Sequence, residues 1–228
     1  MFDRLGGFGK EDGSLGVLNG RCKLGERELG IECESVYFQK KFDELDESGS
    51  IVESTQFEDC LFLGGHFAET QFIDCKFVDC RFKDSDLSVA SFRGSRFADS
   101  SFDRSKLVGI DWSVLNWSAV ILAAPFGFRS CDLSYSTFSG LKLKEMTAQD
   151  CKMREADFTE CDLMGSDFSR SDLLGSRFYQ TVLEECNFED AMNYLISPID
   201  NSLKGARFSH PEVMTLLEPF NIKIDGVG

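Results

Sequence analysis

A large apolar residue recurs every fifth position from Phe57 to Leu107: Phe57, Phe62, Phe67, Phe72, Phe77, Phe82, Leu87, Phe92, Phe97, Phe102, Leu107. Two residues before each stands something small, among them Thr55, Cys60, Gly65, Thr70, Cys75, Cys80, Ser85, Ala90 and Ser95. A period of five fits neither a helix nor a flat strand. It requires a structure that returns the chain to one orientation every five residues. If each pentapeptide forms one side of a four-sided coil of twenty residues, the central residue and the small one two before it both point inward. Coils then stack through backbone hydrogen bonds about 4.8 Å apart. The reading is an all-β solenoid with nearest-neighbour contacts.

Phe42 and Val52 already keep the register, but Glu47 occupies the centre between them. A carboxylate cannot be buried there unpaired, so that side is expected to fray or to turn outward as a cap. Trp112, Trp117 and Leu122 close the first block, and two Trp at consecutive centres need either a wider coil or an outward rotation. Phe128 then falls six residues after Leu122, with Pro125 and Gly127 between. Proline and glycine interrupt strands, and the extra residue predicts a bulge or small loop at Ala124, Pro125, Phe126 and Gly127. A second block runs on from Phe128, is broken at Asn193 and Pro198, and resumes at Leu203 and Phe208. Ser209 and Glu212 form a capping-box pattern for a short terminal helix, with Val213, Leu216, Leu217 and Phe220 as its apolar residues, and a short strand is expected at Asn221 to Ile224.

The chain thus divides into an extension at 1–36, either loosely folded or a cap, a solenoid at 37–208 interrupted near 123–127, and a helix and strand at 209–228. Seven of the nine cysteines (Cys60, Cys75, Cys80, Cys131, Cys151, Cys161, Cys186) sit at small inward positions, where they act as small hydrophobes. Stacked parallel side chains give poor disulfide geometry. There are only two histidines, and no metal site, cofactor site or catalytic constellation is expected. No signal peptide and no membrane span are read, and free thiols fit a cytoplasmic location.

The net charge is -15, from 39 carboxylates against 24 Lys and Arg. Such a surface repels free nucleic acid and membrane headgroups and attracts a basic partner. Asp59, Asp79 and Asp99, twenty apart, should form an outward column. Counting across the slip adds Glu160 and Asp200 to that face, with Asp157 beside them. An acidic row on a narrow rod can imitate a DNA backbone. Equally, Asp suits the turn at this position, and the row is then a solvated face.

The repeat resembles that of the pentapeptide-repeat family. The stretches Leu107 to Val120 and Asp190 to Ile224 are similar to the subgroup of microcin- and albicidin-immunity proteins and, more distantly, the Qnr quinolone-resistance proteins. The resemblance implies a right-handed quadrilateral β-helix with a C-terminal capping and dimerisation helix. It also implies a non-enzymatic homodimer that binds DNA gyrase or a related type II topoisomerase and protects it from a peptide toxin, an albicidin-like compound or a fluoroquinolone. The other reading is a non-enzymatic interaction scaffold with a different basic partner.

Overall fold

The computed structural model describes residues 30–117 and 123–222, and the chain there is a parallel β-solenoid of about eight coils. The pairings that lead up to the strand Ser100–Asp103 join residues twenty apart, such as Phe57 with Phe77 and Phe62 with Phe82. The strands are short: Gln56–Glu58, Lys76–Val78 and Arg96–Ala98 lie in one sheet, and Leu61–Leu63, Arg81–Lys83 and Ser100–Asp103 in the next. Between strands the chain turns through a residue of positive φ two places after the centre, as at Asp59, Asp79 and Asp99 with φ of 51°, 52° and 49°. Asp and Asn tolerate this left-handed conformation better than most side chains, which explains part of the aspartate content.

The core is a set of stacked rings. Rings one coil apart are almost parallel, with Phe62 over Phe82 at 4.4 Å and 4°. Rings one side apart are close to perpendicular, as for Phe62 and Phe67 at 83°. The seven inward cysteines are buried and free. Burial pushes the thiols of Cys80, Cys161 and Cys186 up to about 12, so they are protonated and unreactive at neutral pH.

The inward residue two before the centre contributes more than small size. Ser95 Oγ donates to the carbonyl of Phe72 in the coil below and accepts from the N–H of Cys75, both at 2.9 Å. Ser85, Ser100 and Ser105 make the same pair of contacts. These hydroxyls satisfy backbone groups that the short strands leave over.

Glu47 departs from expectation. It is buried, and its Oε1 accepts from the N–H of Ile31 at 2.7 Å. Ile31 is itself buried, Glu34 N–H donates to the Glu53 carbonyl, and Thr55 Oγ1 donates to that of Glu32. Residues 30–34 therefore lie over the first coil and supply the partner the carboxylate needs. Of the two tryptophans, Trp112 is fully buried between Phe92 and Phe138. Trp117 is only half-buried, and its Nε1 donates to the Trp112 carbonyl at 3.1 Å. Leu122 lies outside the described residues.

The register break is larger than one residue. Phe102 pairs with Phe128 and Asp111 with Thr137, a separation of 26 rather than twenty. Asn116 still bonds back to Ser95 normally, so the six additional residues fall between Asn116 and Pro125. Phe126 and Gly127 are not loop. They belong to the strand Phe126–Arg129, paired with Ser100 and Ser101. Phe126 takes the place of a small inward residue and packs on Trp112 at 4.8 Å, with Trp117 at 6.3 Å. The Pro125 carbonyl accepts from Ser100 N–H, and Ala124 N–H donates to the Lys144 carbonyl.

At the far end Asn193 adopts φ 61° and faces outward, while Tyr194 and Ile196 turn inward. A 3-10 helix, Glu212–Phe220, lies over the last coil. Its capping box does not form. Ser209 Oγ accepts from Asp190 N–H, and Glu212 Oε1 accepts from Asn193 N–H at 2.6 Å, so both side chains tie the helix to the preceding coil. Asn221 is the left-handed C-terminal residue of the helix rather than part of a strand, and Lys223 and Ile224 lie outside the described residues. No helix among the described residues is long and apolar enough to cross a membrane.

Candidate functional site, an acidic corner

Most aspartates of the repeat fall into two groups. Those just before a centre serve their own turn. Asp157, Asp162, Asp167 and Asp172 each accept from the N–H two residues on, and each lies on a different side of the coil. Burial works against the charge of Asp172, but the Asn193 amide, Arg154 and the Leu174 N–H together hold its carboxyl below the usual range. These carboxylates are occupied within the structure.

Those two after a centre stand at the left-handed corner and project outward. Asp59, Asp79 and Asp99 form a column there, one per coil, along a shallow groove lined also by Phe38, Glu58, Arg81 and Ser101. Asp59 accepts from Gln39 Nε2 at 3.1 Å and lies 3.8 Å from Arg81. No ion pair among the described residues engages Asp79 or Asp99.

The 26-residue coil decides how the column continues. Asp99 is followed by Pro125, and the later pairings carry the corner on to Glu145, Gly165, Glu185 and Gly205. Glu145 and Glu185 both have φ 58° and are therefore corner residues of the same kind. Glu160 does not join this column. Asp111 pairs with Thr137 and Thr137 with Asp157, which places Asp157 and Glu160 on the side of Phe72, Phe92 and Trp112. Asp200 follows them there, its carbonyl accepting from Gln180 N–H. Asp157 is also paired with Arg177 at 3.5 Å. The structure thus brings Asp59, Asp79 and Asp99 together, separates Asp157, Glu160 and Asp200 from them, and adds Glu145 and Glu185. The same side also carries a basic row before its centres, with Lys76 paired with Arg96.

The residues named for self-association are divided. Val213, Leu216 and Leu217 are half-buried, with Leu216 against the core, and Phe220 is 50% exposed.

The sequence model of the pentapeptide repeat region matches residues 50–124 and 124–192. Comparison with curated proteins gave no match. Among solved structures, a trypsin-treated variant of QnrB1, a plasmid-mediated fluoroquinolone resistance protein, is 22% identical with TM-score 0.44, over 84% of this chain and 98% of its own. HetL of the cyanobacterium Nostoc, involved in heterocyst differentiation regulation, is 14% identical with TM-score 0.32, over 76% and 90%. A thylakoid lumen protein of Arabidopsis thaliana is 17% identical with TM-score 0.27, over 57% and 66%. Likenesses of this size carry no argument about function. The family match spans most of the solenoid, and its repeat is the one whose inward and outward positions the coils display: the chain belongs to the pentapeptide-repeat family.

Proposed function

We propose that this protein is a non-enzymatic DNA mimic, whose acidic rod occupies the DNA-binding saddle of DNA gyrase or a related type II topoisomerase in the cytoplasm. In doing so it limits poisoning of the enzyme by a peptide toxin, an albicidin-like compound or a fluoroquinolone. The observation that carries this reading is the corner column of Asp59, Asp79 and Asp99, continued by Glu145 and Glu185. Residues 1–29 and 223–228 each contain as many acidic as basic side chains, so residues 30–222 carry the whole net charge of -15. Over about eight coils of about 4.8 Å, roughly 40 Å in all, this is about one charge per 2.7 Å, against about one per 1.7 Å for duplex DNA. The rod has more than half the linear charge density of the polymer it would replace.

Titration of the protein into supercoiling and drug-induced cleavage assays tests the reading. Both reactions are expected to respond at micromolar protein, and the effect to weaken steeply between low and moderate salt. Replacing Asp59, Asp79 and Asp99 by Asn removes three charges and keeps side chains that tolerate the corner, so binding should weaken about tenfold or more with the fold intact. If neither reaction responds, or the triple variant acts like its parent, the proposal should be abandoned. A scaffold for a different basic partner is the second reading, and the row of Lys76 and Arg96 favours it, because a face carrying both charges is less like a duplex.

The same reading includes a two-fold dimer through Val213, Leu216, Leu217 and Phe220. Apolar residues left half-buried on the helix that covers the last coil call for a further surface. Phe220→Lys and Leu217→Lys, and separately truncation after Phe208, should halve the mass seen by light scattering. An unchanged mass in all three would remove the dimer.

A further inference from the structure

Arg81 is the one cation among the residues lining the acidic groove. It stands on the neighbouring side of the coil, between Leu61 below and Ser101 above, with its guanidinium 3.8 Å from Asp59. The pair is loose and open, with side chains 64% and 43% exposed, and exposed pairs of this kind add little to stability. What the guanidinium does change is the field along the column. An extended row of Lys and Arg laid on Asp59, Asp79 and Asp99 meets a like charge at Arg81, and like charges brought together at an interface are costly. A surface whose basic groups are interrupted by a carboxylate or carbonyl at that point gives Arg81 a partner instead.

We propose that Arg81 is a specificity residue of the acidic corner, one that lowers its affinity for uniformly cationic chains and so favours a basic surface carrying an acceptor. This rests on the reading of that corner as the binding face. Discrimination of this kind comes from building an unfavourable contact against the wrong partner as much as from contacts with the right one.

The test compares the parent, Arg81→Gln and Asp79→Asn/Asp99→Asn, using fluorescence anisotropy with labelled poly-L-lysine and, separately, with gyrase. Arg81→Gln should bind poly-L-lysine about two- to fivefold more tightly at low salt, the size of one exposed charge pair, and the gain should fade as salt rises. Asp79→Asn/Asp99→Asn should bind it more weakly, which locates the probe in the groove. Gyrase should gain less from Arg81→Gln than poly-L-lysine does, so that the ratio of the two affinities falls. Arg81→Gln binding poly-L-lysine no better than the parent would overturn the proposal. So would an equal gain for both ligands, or a carboxylate variant that binds like the parent. If gyrase binds no form of the protein, the topoisomerase reading fails by itself, and the poly-L-lysine comparison still decides the role of Arg81.

Discussion

Phe77→Ala is expected to destabilise the protein by about 3–5 kcal/mol, as for buried Phe truncations generally. Phe77 is fully buried. Its ring lies parallel to Phe57 at 4.9 Å and to Phe97 at 4.7 Å. Phe72 and Phe92 meet it edge-on at 5.5 Å and 6.0 Å. Truncation costs least where neighbours can collapse into the space. Here the coil spacing is held by backbone hydrogen bonds on every side, so the rings above and below cannot close the gap, and the upper half of that range applies. Phe97→Ala should cost somewhat less, because Phe97 is 8% exposed and borders the irregular coil of Phe126, where side chains have room to adjust. Each coil of a solenoid contacts only its neighbours, so loosening one also weakens cooperation between the two halves. Urea unfolding followed by circular dichroism should show an earlier midpoint for Phe77→Ala and a broader transition. A loss below about 1 kcal/mol would contradict the stacked core.

The period of five was enough to separate inside from outside. Phe62, Phe67, Phe72 and Leu87 are fully buried where the period puts them inward, because a solenoid of pentapeptides has one inward orientation per side. The same period could not count sides. An insertion of one residue and an insertion of six are identical modulo five, yet they differ by one whole side of the coil. Counting one residue places Glu160 and Asp200 on the column of Asp59, whereas the corner leads to Glu145 and Glu185. The register of 26 goes with burial of Phe126 against Trp112, a contact between residues fourteen apart with no signature in the repeat. Glu47 shows a different limit. A buried carboxylate needs a partner, and here the partner is a backbone N–H at Ile31, ahead of the first residue that keeps the period. Ser209 and Glu212 had the right spacing for a cap and found donors on Asp190 and Asn193 instead. At Asn193 the polar side chain at a centre was a visible anomaly. Its outcome depended on the amide reaching Asp172 at 2.8 Å, which leaves the inward place to Tyr194.

The small inward residues carry information that size alone does not. Buried alanines occupy this position at Ala90, Ala156 and Ala191. In each case the coil below closes its own turn: Thr70 N–H donates to Phe67, Ser136 to Leu133 and Ser171 to Phe168. Below Ser95 the turn is open, and the Phe72 carbonyl and Cys75 N–H both reach the Ser95 hydroxyl. Ser95→Ala therefore preserves volume almost fully yet strands two buried backbone groups, each costing about 1–3 kcal/mol. The expected loss is about 2–4 kcal/mol, large for the removal of one oxygen. Ser176→Ala is the control. Ser176 is also buried and donates to the Met153 carbonyl, but that carbonyl already accepts from Ala156 N–H, so the loss should stay within about 1 kcal/mol. Ser95→Cys should fall between Ser95 and Ser95→Ala, since a thiol is a weaker donor and acceptor. Chemical denaturation of the variants side by side makes the comparison. If Ser95→Ala and Ser176→Ala lose the same stability, the position selects for size only, and the hydroxyl bridge between coils contributes nothing measurable.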